Sequence, residues 1–191
     1  MNVVCPGPIG QWLEHDGALL RLRLARPKAN IVDAAMIAAL HGAFDAARQR
    51  TDLRGVLLDA EGAHFSYGAS VEEHLAPRCA QMLASLHALV LAMLDFPVPI
   101  LVAVRGQCLG GGLELALAGG PIFAAPDAQF GQPEIRLGLF APAASVLLPY
   151  RVNQPDAEDL LCSGRTIAAD KALAVGLVQQ VAADPVIAAL D

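Results

Sequence analysis

Glu114 is the residue whose surroundings best fit acid–base chemistry. It stands alone among apolar residues in the stretch 97–120, PVPILVAVRGQCLGGGLELALAGG, just after the triplet Gly110-Gly111-Gly112. A carboxylate at that position has two readings. In the first turn of a helix it is favoured by the helix dipole and needs no further purpose. Beside a site that stabilises developing negative charge, burial and neighbours would tune its pKa for proton transfer. Cys108, in the same turn, would need a base at fixed spacing to act as a nucleophile. None is recognisable, and it reads as a small filler.

The elements that must hold Glu114 are legible around it. Residues 100–104 form a Val-containing apolar run preceded by Pro97 and Pro99, the pattern of a buried strand. From Leu113 the chain is rich in Ala and Leu, which are good helix formers. Strand, glycine turn and helix together present backbone N–H groups to a ligand. Three glycines leave that approach free of side chains.

Further along the chain, residues 18–24 alternate apolar and charged, as a half-exposed strand does. Residues 26–30, RPKAN, form a turn, and Asp33 caps a helix carrying Ile37, Leu40, Phe44 and Ala47 at helical spacing. Residues 55–59 are a second buried strand, and residues 61–70, EGAHFSYGAS, a glycine-punctuated aromatic loop. An amphipathic helix spans about 77–94, with Met82, Leu83, Leu86, Leu89, Val90 and Met93 on its apolar stripe. Short strands are expected at 121–124 and 128–130, a turn at Gln132-Pro133-Glu134, and a helix over about 142–151. Asn153 and Pro155 start another helix. Residues 163–166 read as a loop, 168–175 as a helix stopped by Gly176, and 177–181 as a last strand. No repeat or linker interrupts the chain, so a single domain over 1–191 is expected.

Composition narrows the function classes. The 191 residues are 55% hydrophobic and 17% charged, with net charge -6. One sizeable core follows, and no basic face exists to neutralise nucleic-acid phosphates. The hydrophobic window 82–104 is broken by Asp95, Pro97 and Pro99, which argues against a membrane span. The first ten residues lack the basic and apolar segments of a secretory signal. Cys5, Cys79, Cys108 and Cys162 are scattered, which suits a reduced, cytoplasmic setting better than a disulfide framework. His15, His41, His64 and His87 show no metal-ligand spacing, and no metal is assigned. GxGxxG, GxxxxGK[ST] and GxSxG patterns are all missing.

Five ordered blocks, RPKAN, HFSYGAS, GQCLGGGLELA, AQFGQPEIRLGLF and SGRTIAADKALAVGLV, resemble the crotonase (enoyl-CoA hydratase) superfamily. The resemblance implies an α/β fold, a spiral of ββα units over about 1–150, with 151–191 beginning a C-terminal helical region. It implies an acyl-CoA thioester as substrate, CoA being part of the substrate and not a cofactor, and a homotrimer or dimer of trimers. The family continues beyond the apparent helix in which Asp191 falls, so a shortened chain is implied. By motif position, the backbone N–H groups of Ala69 and Gly111 would form the oxyanion hole, and Glu114 and Glu134 the catalytic pair of the hydratase branch. Glu134 would exchange the carbon-bound proton while Glu114 activates water, a division that could run the other way. Lys28 is the leading CoA contact, with Arg26, Ala29, His64 and Gly68 beside it.

Two segments depart from the commonest family pattern: Gly68-Ala69-Ser70 followed by Val71-Glu72-Glu73-His74, and residues 140–149, FAPAASVLLP. Both resemble the branch that hydrates cyclohexa-1,5-diene-1-carbonyl-CoA. The resemblance therefore implies a hydro-lyase acting on a flat ring thioester, with Tyr67 and Phe140 shaping the pocket or simply packing. A general fatty-acid-type hydratase and a non-catalytic acyl-CoA-binding homologue are the alternatives. Glu72, Glu73 and His74 read as a polar helix start.

Overall fold

The computed structural model describes residues 7–191, so Cys5 and most of the stretch read for a signal lie outside the described residues. Nine strands and seven α-helices alternate along the described residues. The larger sheet contains β1 (Ile9–Glu14), β2 (Leu19–Leu24), β3 (Gly55–Ala60), β4 (Ile100–Val104), β6 (Ile122–Ala124) and β9 (Gln180–Val181), in the order β1-β2-β3-β4-β6-β9. β1 runs antiparallel to β2, and every other neighbour is parallel. The smaller sheet has the order β5-β7-β8, from β5 (Gln107–Leu109), β7 (Gln129–Gly131) and β8 (Thr166–Ala168).

The alternation in β2 has a specific cause. Leu20, Leu22 and Leu24 face the core, while Arg21 and Arg23 both reach Asp59 on β3, each at 2.6 Å. The two guanidiniums also lie over the Trp12 ring, 5.3 and 5.2 Å from its centroid. The outer face is thus a paired polar cluster, which is how a buried carboxylate such as Asp59 remains tolerable.

Helix α1 (Ala34–Ala47) begins where the Asp33 side chain accepts the Met36 N–H at 2.9 Å. Its buried Met36, Ile37, Leu40 and Phe44 pack against α2 (Cys79–Leu94), whose Met82, Leu86, Leu89, Val90 and Met93 are buried; Leu83, expected on that stripe, is half-buried. Every residue of α3 (Gly111–Ala118) is buried. A helix apolar on all sides belongs in the middle of a core, and Glu114 is its one charged residue. The core runs without a break from Leu20 to Val178. No helix among the described residues is long and apolar enough to cross a membrane.

Several elements differ from expectation. Strand β1 was not anticipated. β5 lies inside what reads locally as a glycine turn, and β8 runs from the end of the expected loop, Thr166, to the start of the expected helix, Ala168. Both are short segments that become strands only by pairing with β7. The helix expected over about 142–151 ends early: α4 (Pro142–Leu147) gives way to a 3-10 turn at Leu148–Tyr150, because Pro149 cannot donate to a regular helical ladder. Beyond it, α5 (Gln154–Ser163) is capped by Asn153, α6 (Ala169–Ala174) precedes Gly176, and α7 (Pro185–Leu190) follows β9.

Candidate active site

The loop 61–70 is stitched alongside β5. Ser66 N–H donates to the Gln107 carbonyl at 2.9 Å, Leu109 N–H donates to the Ser66 carbonyl at 3.0 Å, and Val32 bridges Ala69. This pairing carries Ala69 to Gly111, so that a Cβ placed on Gly111 would lie 3.0 Å from the Ala69 nitrogen. The bridge to Val32 engages the Gly68 carbonyl and the Ser70 N–H, so alternation turns the Ala69 N–H the other way. Gly111 opens α3, where an N–H has no partner within the helix. Two main-chain donors are therefore held side by side.

Ser66 and Asn30 lock this loop to the RPKAN turn. Asn30 is buried, with positive φ; its side chain accepts the Arg26 N–H at 2.9 Å and donates to the Glu61 and His64 carbonyls at 3.0 and 2.9 Å. The Ser66 hydroxyl donates to the Asn30 carbonyl and accepts the Gly68 N–H.

Glu134 arrives from the other side. Gly110 N–H donates to the Gly131 carbonyl at 2.9 Å, tying the end of β5 to the end of β7. The next residues, expected as a simple turn, wind into a 3-10 helix, Pro133–Leu137, started by Pro133 and ended by Gly138 in the left-handed region. The Glu134 carboxylate then rests against Gly110. Gln132, buried, sits beside it: with its amide nitrogen turned toward Glu134 it donates to both carboxylate oxygens, at 3.2 and 2.9 Å. The opposite orientation would trade these for one 3.5 Å contact to the Gly110 carbonyl and set oxygen against carboxylate, so the first is assigned.

A cavity of about 80 Å³ opens at this junction. Tyr67, Gly68, Ala69 and Gly110 form one side, Glu134 and Leu137 the other, with Leu139, Val71 and His74 completing it. Larger clefts exist, of about 470 Å³ near Trp12 and about 280 Å³ between α2 and α4. Neither includes the amide pair or a carboxylate, so volume alone does not pick out the site.

Glu114 lies behind this wall, only 3% exposed, with Oε1 accepting the Ala144 N–H at 2.9 Å. Burial raises its pKa, against the opposing pull of the Ala144 and Ala143 amides and of His87 and His74. Glu134 is pushed up to about 7, first by burial and then by the Glu114 charge, its own N–H opposing. Burial thus favours the protonated form of both acids, and Glu134 can hold its proton near neutrality.

Other expected site residues are distributed differently. Tyr67 lines the cavity, its ring edge-on to His64 at 5.0 Å. Phe140 does not: it is 71% exposed, and Leu137 and Leu139 occupy the wall in its place. Leu137 and Leu139 line the cavity while remaining 62% and 41% exposed. Lys28, Arg26 and Ala29 lie off the cavity on the adjoining turn, joined to it where Tyr67 N–H donates to the Ala29 carbonyl at 2.9 Å. Lys28 is exposed at φ 90, and Arg26 is paired with Asp33. His64 Nδ1 accepts the Gln107 N–H, which gives that ring a structural task. Cys108 is fully buried, and burial holds its thiol in the neutral form, in keeping with a filler. Asn30, Ser66 and Gln132 were not anticipated. The one sequence signal for them is position, since each stands inside one of the quoted blocks.

The family model described as enoyl-CoA hydratase/isomerase matches residues 14–189. The chain belongs to that family. As a crotonase it is 68% identical over 183 residues to the cyclohexa-1,5-dienecarbonyl-CoA hydratase of Thauera aromatica, a match spanning 96% of this chain and 71% of that protein. Among solved crotonase-like structures, the enoyl-CoA hydratase of Mycobacterium smegmatis superposes with a TM-score of 0.87 at 30% identity, over 92% of this chain and 70% of the other. DspI of Pseudomonas aeruginosa superposes with a TM-score of 0.91 at 26% identity, over 99% and 74%.

Proposed function

We propose that this crotonase is a CoA-thioester hydratase that adds water to cyclohexa-1,5-diene-1-carbonyl-CoA, giving 6-hydroxycyclohex-1-ene-1-carbonyl-CoA. The observation that carries the chemistry is that Ala69, with Gly111 packed against its backbone, and Glu134 line one cavity, with Glu114 behind it. The similarity to the Thauera aromatica hydratase supports the ring substrate.

In this mechanism the thioester oxygen accepts the Ala69 and Gly111 N–H groups. As water oxygen bonds to a ring carbon, electrons move onto that oxygen, and donors aimed there stabilise the transition state more than the ground state. The water proton passes to Glu114, and Glu134 gives its proton to carbon. A carboxyl with pKa about 7 is half protonated at neutral pH, which suits a group that must both give and regain a proton. Leu137 and Leu139 supply the apolar wall a ring requires. Lys28, exposed on the adjoining turn, would meet a CoA phosphate. The family resemblance extends the proposal to a homotrimer or dimer of trimers, and the scattered cysteines to a cytoplasmic setting.

Incubation with the ring dienoyl-CoA and with crotonyl-CoA tests the reading. Formation of the hydroxylated ring thioester is expected to be the faster reaction. Turnover of the straight chain alone would overturn the ring assignment in favour of a general enoyl-CoA hydratase.

A further inference from the structure

The segment Glu72–His74 was read as a polar helix start, and for its two acids the structure agrees. Glu73 accepts the Ala34 N–H at 2.9 Å, fastening this short 3-10 turn to the start of α1, and Glu72 pairs with Arg78 at 2.6 Å. His74 has a different environment. It lines the cavity that contains Ala69, Gly110 and Glu134. Three side chains in that lining are polar: Tyr67, Glu134 and His74. Tyr67 is 44% exposed and leans on His64, at the rim. Glu134 is the proposed acid. His74 remains without a role in the reaction as described.

Its orientation is fixed from behind. His74 Nδ1 lies 2.8 Å from the Ser70 carbonyl oxygen. A carbonyl only accepts, so the hydrogen of that bond belongs to Nδ1. In the neutral ring this leaves Nε2, on the opposite edge, as an acceptor. Ser70 is itself anchored, its N–H on the Val32 carbonyl at 3.3 Å and its hydroxyl accepting the Glu73 N–H at 3.4 Å. It directly follows the oxyanion residue Ala69, so the loop that holds the thioester oxygen also aims the imidazole. His74 is also close enough to act electrostatically on Glu114, which places the ring near that acid as well as Glu134.

We propose that His74 is a positioning residue for the oxygen that water contributes: through Nε2 it accepts a hydrogen bond from the attacking water and, afterwards, from the hydroxyl of the product. This rests on the hydratase reading above. A hydration site must tell a hydroxylated thioester from its deoxy counterpart, and an acceptor in an otherwise apolar wall does so because it is left unpaired by the deoxy compound.

Two substitutions separate this role from the structural one. His74→Asn retains a donor near the position of Nδ1, and with it the Ser70 contact, but withdraws the far edge. His74→Gln reaches the position of Nε2 and gives up the Ser70 contact. The measurement compares the affinity of 6-hydroxycyclohex-1-ene-1-carbonyl-CoA with that of cyclohex-1-ene-1-carbonyl-CoA in each protein, alongside thermal melting. The unsubstituted protein is expected to prefer the hydroxylated thioester about fivefold, the worth of one net hydrogen bond. Gln should retain that preference and Asn lose it, with kcat for hydration following the same order. No preference in the unsubstituted protein, or rescue by Asn and not Gln, would overturn the proposal. Failure to hydrate the ring dienoyl-CoA would count against the proposed function instead, while the paired affinities would still judge His74.

Discussion

The Glu134 carboxylate lies against the bare α-carbon of Gly110: a methyl group there would come within 2.5 Å of Oε1. The same glycine accepts the Glu114 N–H on its carbonyl at 2.9 Å. One residue therefore sets the relation between both acids, and it does so at φ 51, ψ -128, a conformation open only to glycine.

Gly110→Ala is accordingly expected to displace Glu134 and to strain the turn. Hydration should fall about 100-fold or more, and stability by about 1–3 kcal/mol. Steady-state kinetics and urea denaturation on the same preparation check both. Unchanged turnover would show that the closeness of Gly110 and Glu134 is incidental.

The acids themselves are tested by isosteric amides. Glu114→Gln and Glu134→Gln should each lower kcat by about 10²- to 10⁴-fold, the usual weight of a positioned acid or base. Affinity for a non-reacting thioester should change little, since in the proposed mechanism main-chain amides and not these side chains hold the thioester oxygen. Loss of binding in parallel with turnover would point to structural damage.

Stability should depend on pH through Glu134. A glutamate ionises near 4.5 in its ordinary state and at about 7 here. Between those values the folded protein holds a proton that the unfolded chain has released, so stability falls as pH rises through that window. Glu114, also raised by burial, acts in the same direction. Glu134→Gln should match the parent near pH 4 and become progressively the more stable of the two up to about pH 8. Thermal melting across that range reads the difference, and parallel curves would remove Glu134 as its source.

How far the sequence disclosed this arrangement depended on whether a signal was local. Asp33 and Asn153 announced their helices because a cap acts on amides two or three residues away. The glycine triplet marked the turn before α3 for the same reason. β5 and β8 were illegible because three residues have no period of their own and acquire strand character from β7. Glu134 was found by motif, yet its route to the cavity was not, since Pro133–Leu137 reads locally as a turn and winds into a 3-10 helix only in the fold. Asn30 stood in a recognised turn, but its three hydrogen bonds span residues from 26 to 64.

Asn30→Ala should be costly for that reason. It removes all three bonds, leaves the Glu61 and His64 carbonyls short of a partner, and places alanine at φ 43. A loss of about 2–4 kcal/mol is expected, read from urea midpoints, with a raised KM because the RPKAN turn loosens from Tyr67. A loss below about 1 kcal/mol would mean that the turn is held otherwise.

Lys28→Ala should raise KM for CoA thioesters about three- to tenfold and leave kcat nearly unchanged, as expected for a phosphate contact remote from the reacting carbons. The effect should shrink in high salt and vanish with pantetheine thioesters, which lack the nucleotide phosphates. An equal effect on both thioesters would place Lys28 elsewhere in binding.

The contact between Gly111 and Ala69 divides the site into two kinds of position. The proposed grip on the thioester is written in main chain and in the absence of side chains, so a library randomised at Gly68, Gly110 and Gly111, where any Cβ would crowd a neighbour, would sample chiefly broken proteins. Glu114, Glu134, His74, Leu137 and Leu139 surround that grip without building it. Varying those five would leave the handle in place while changing what is done to the molecule it holds, which makes this scaffold a starting point for new thioester chemistry.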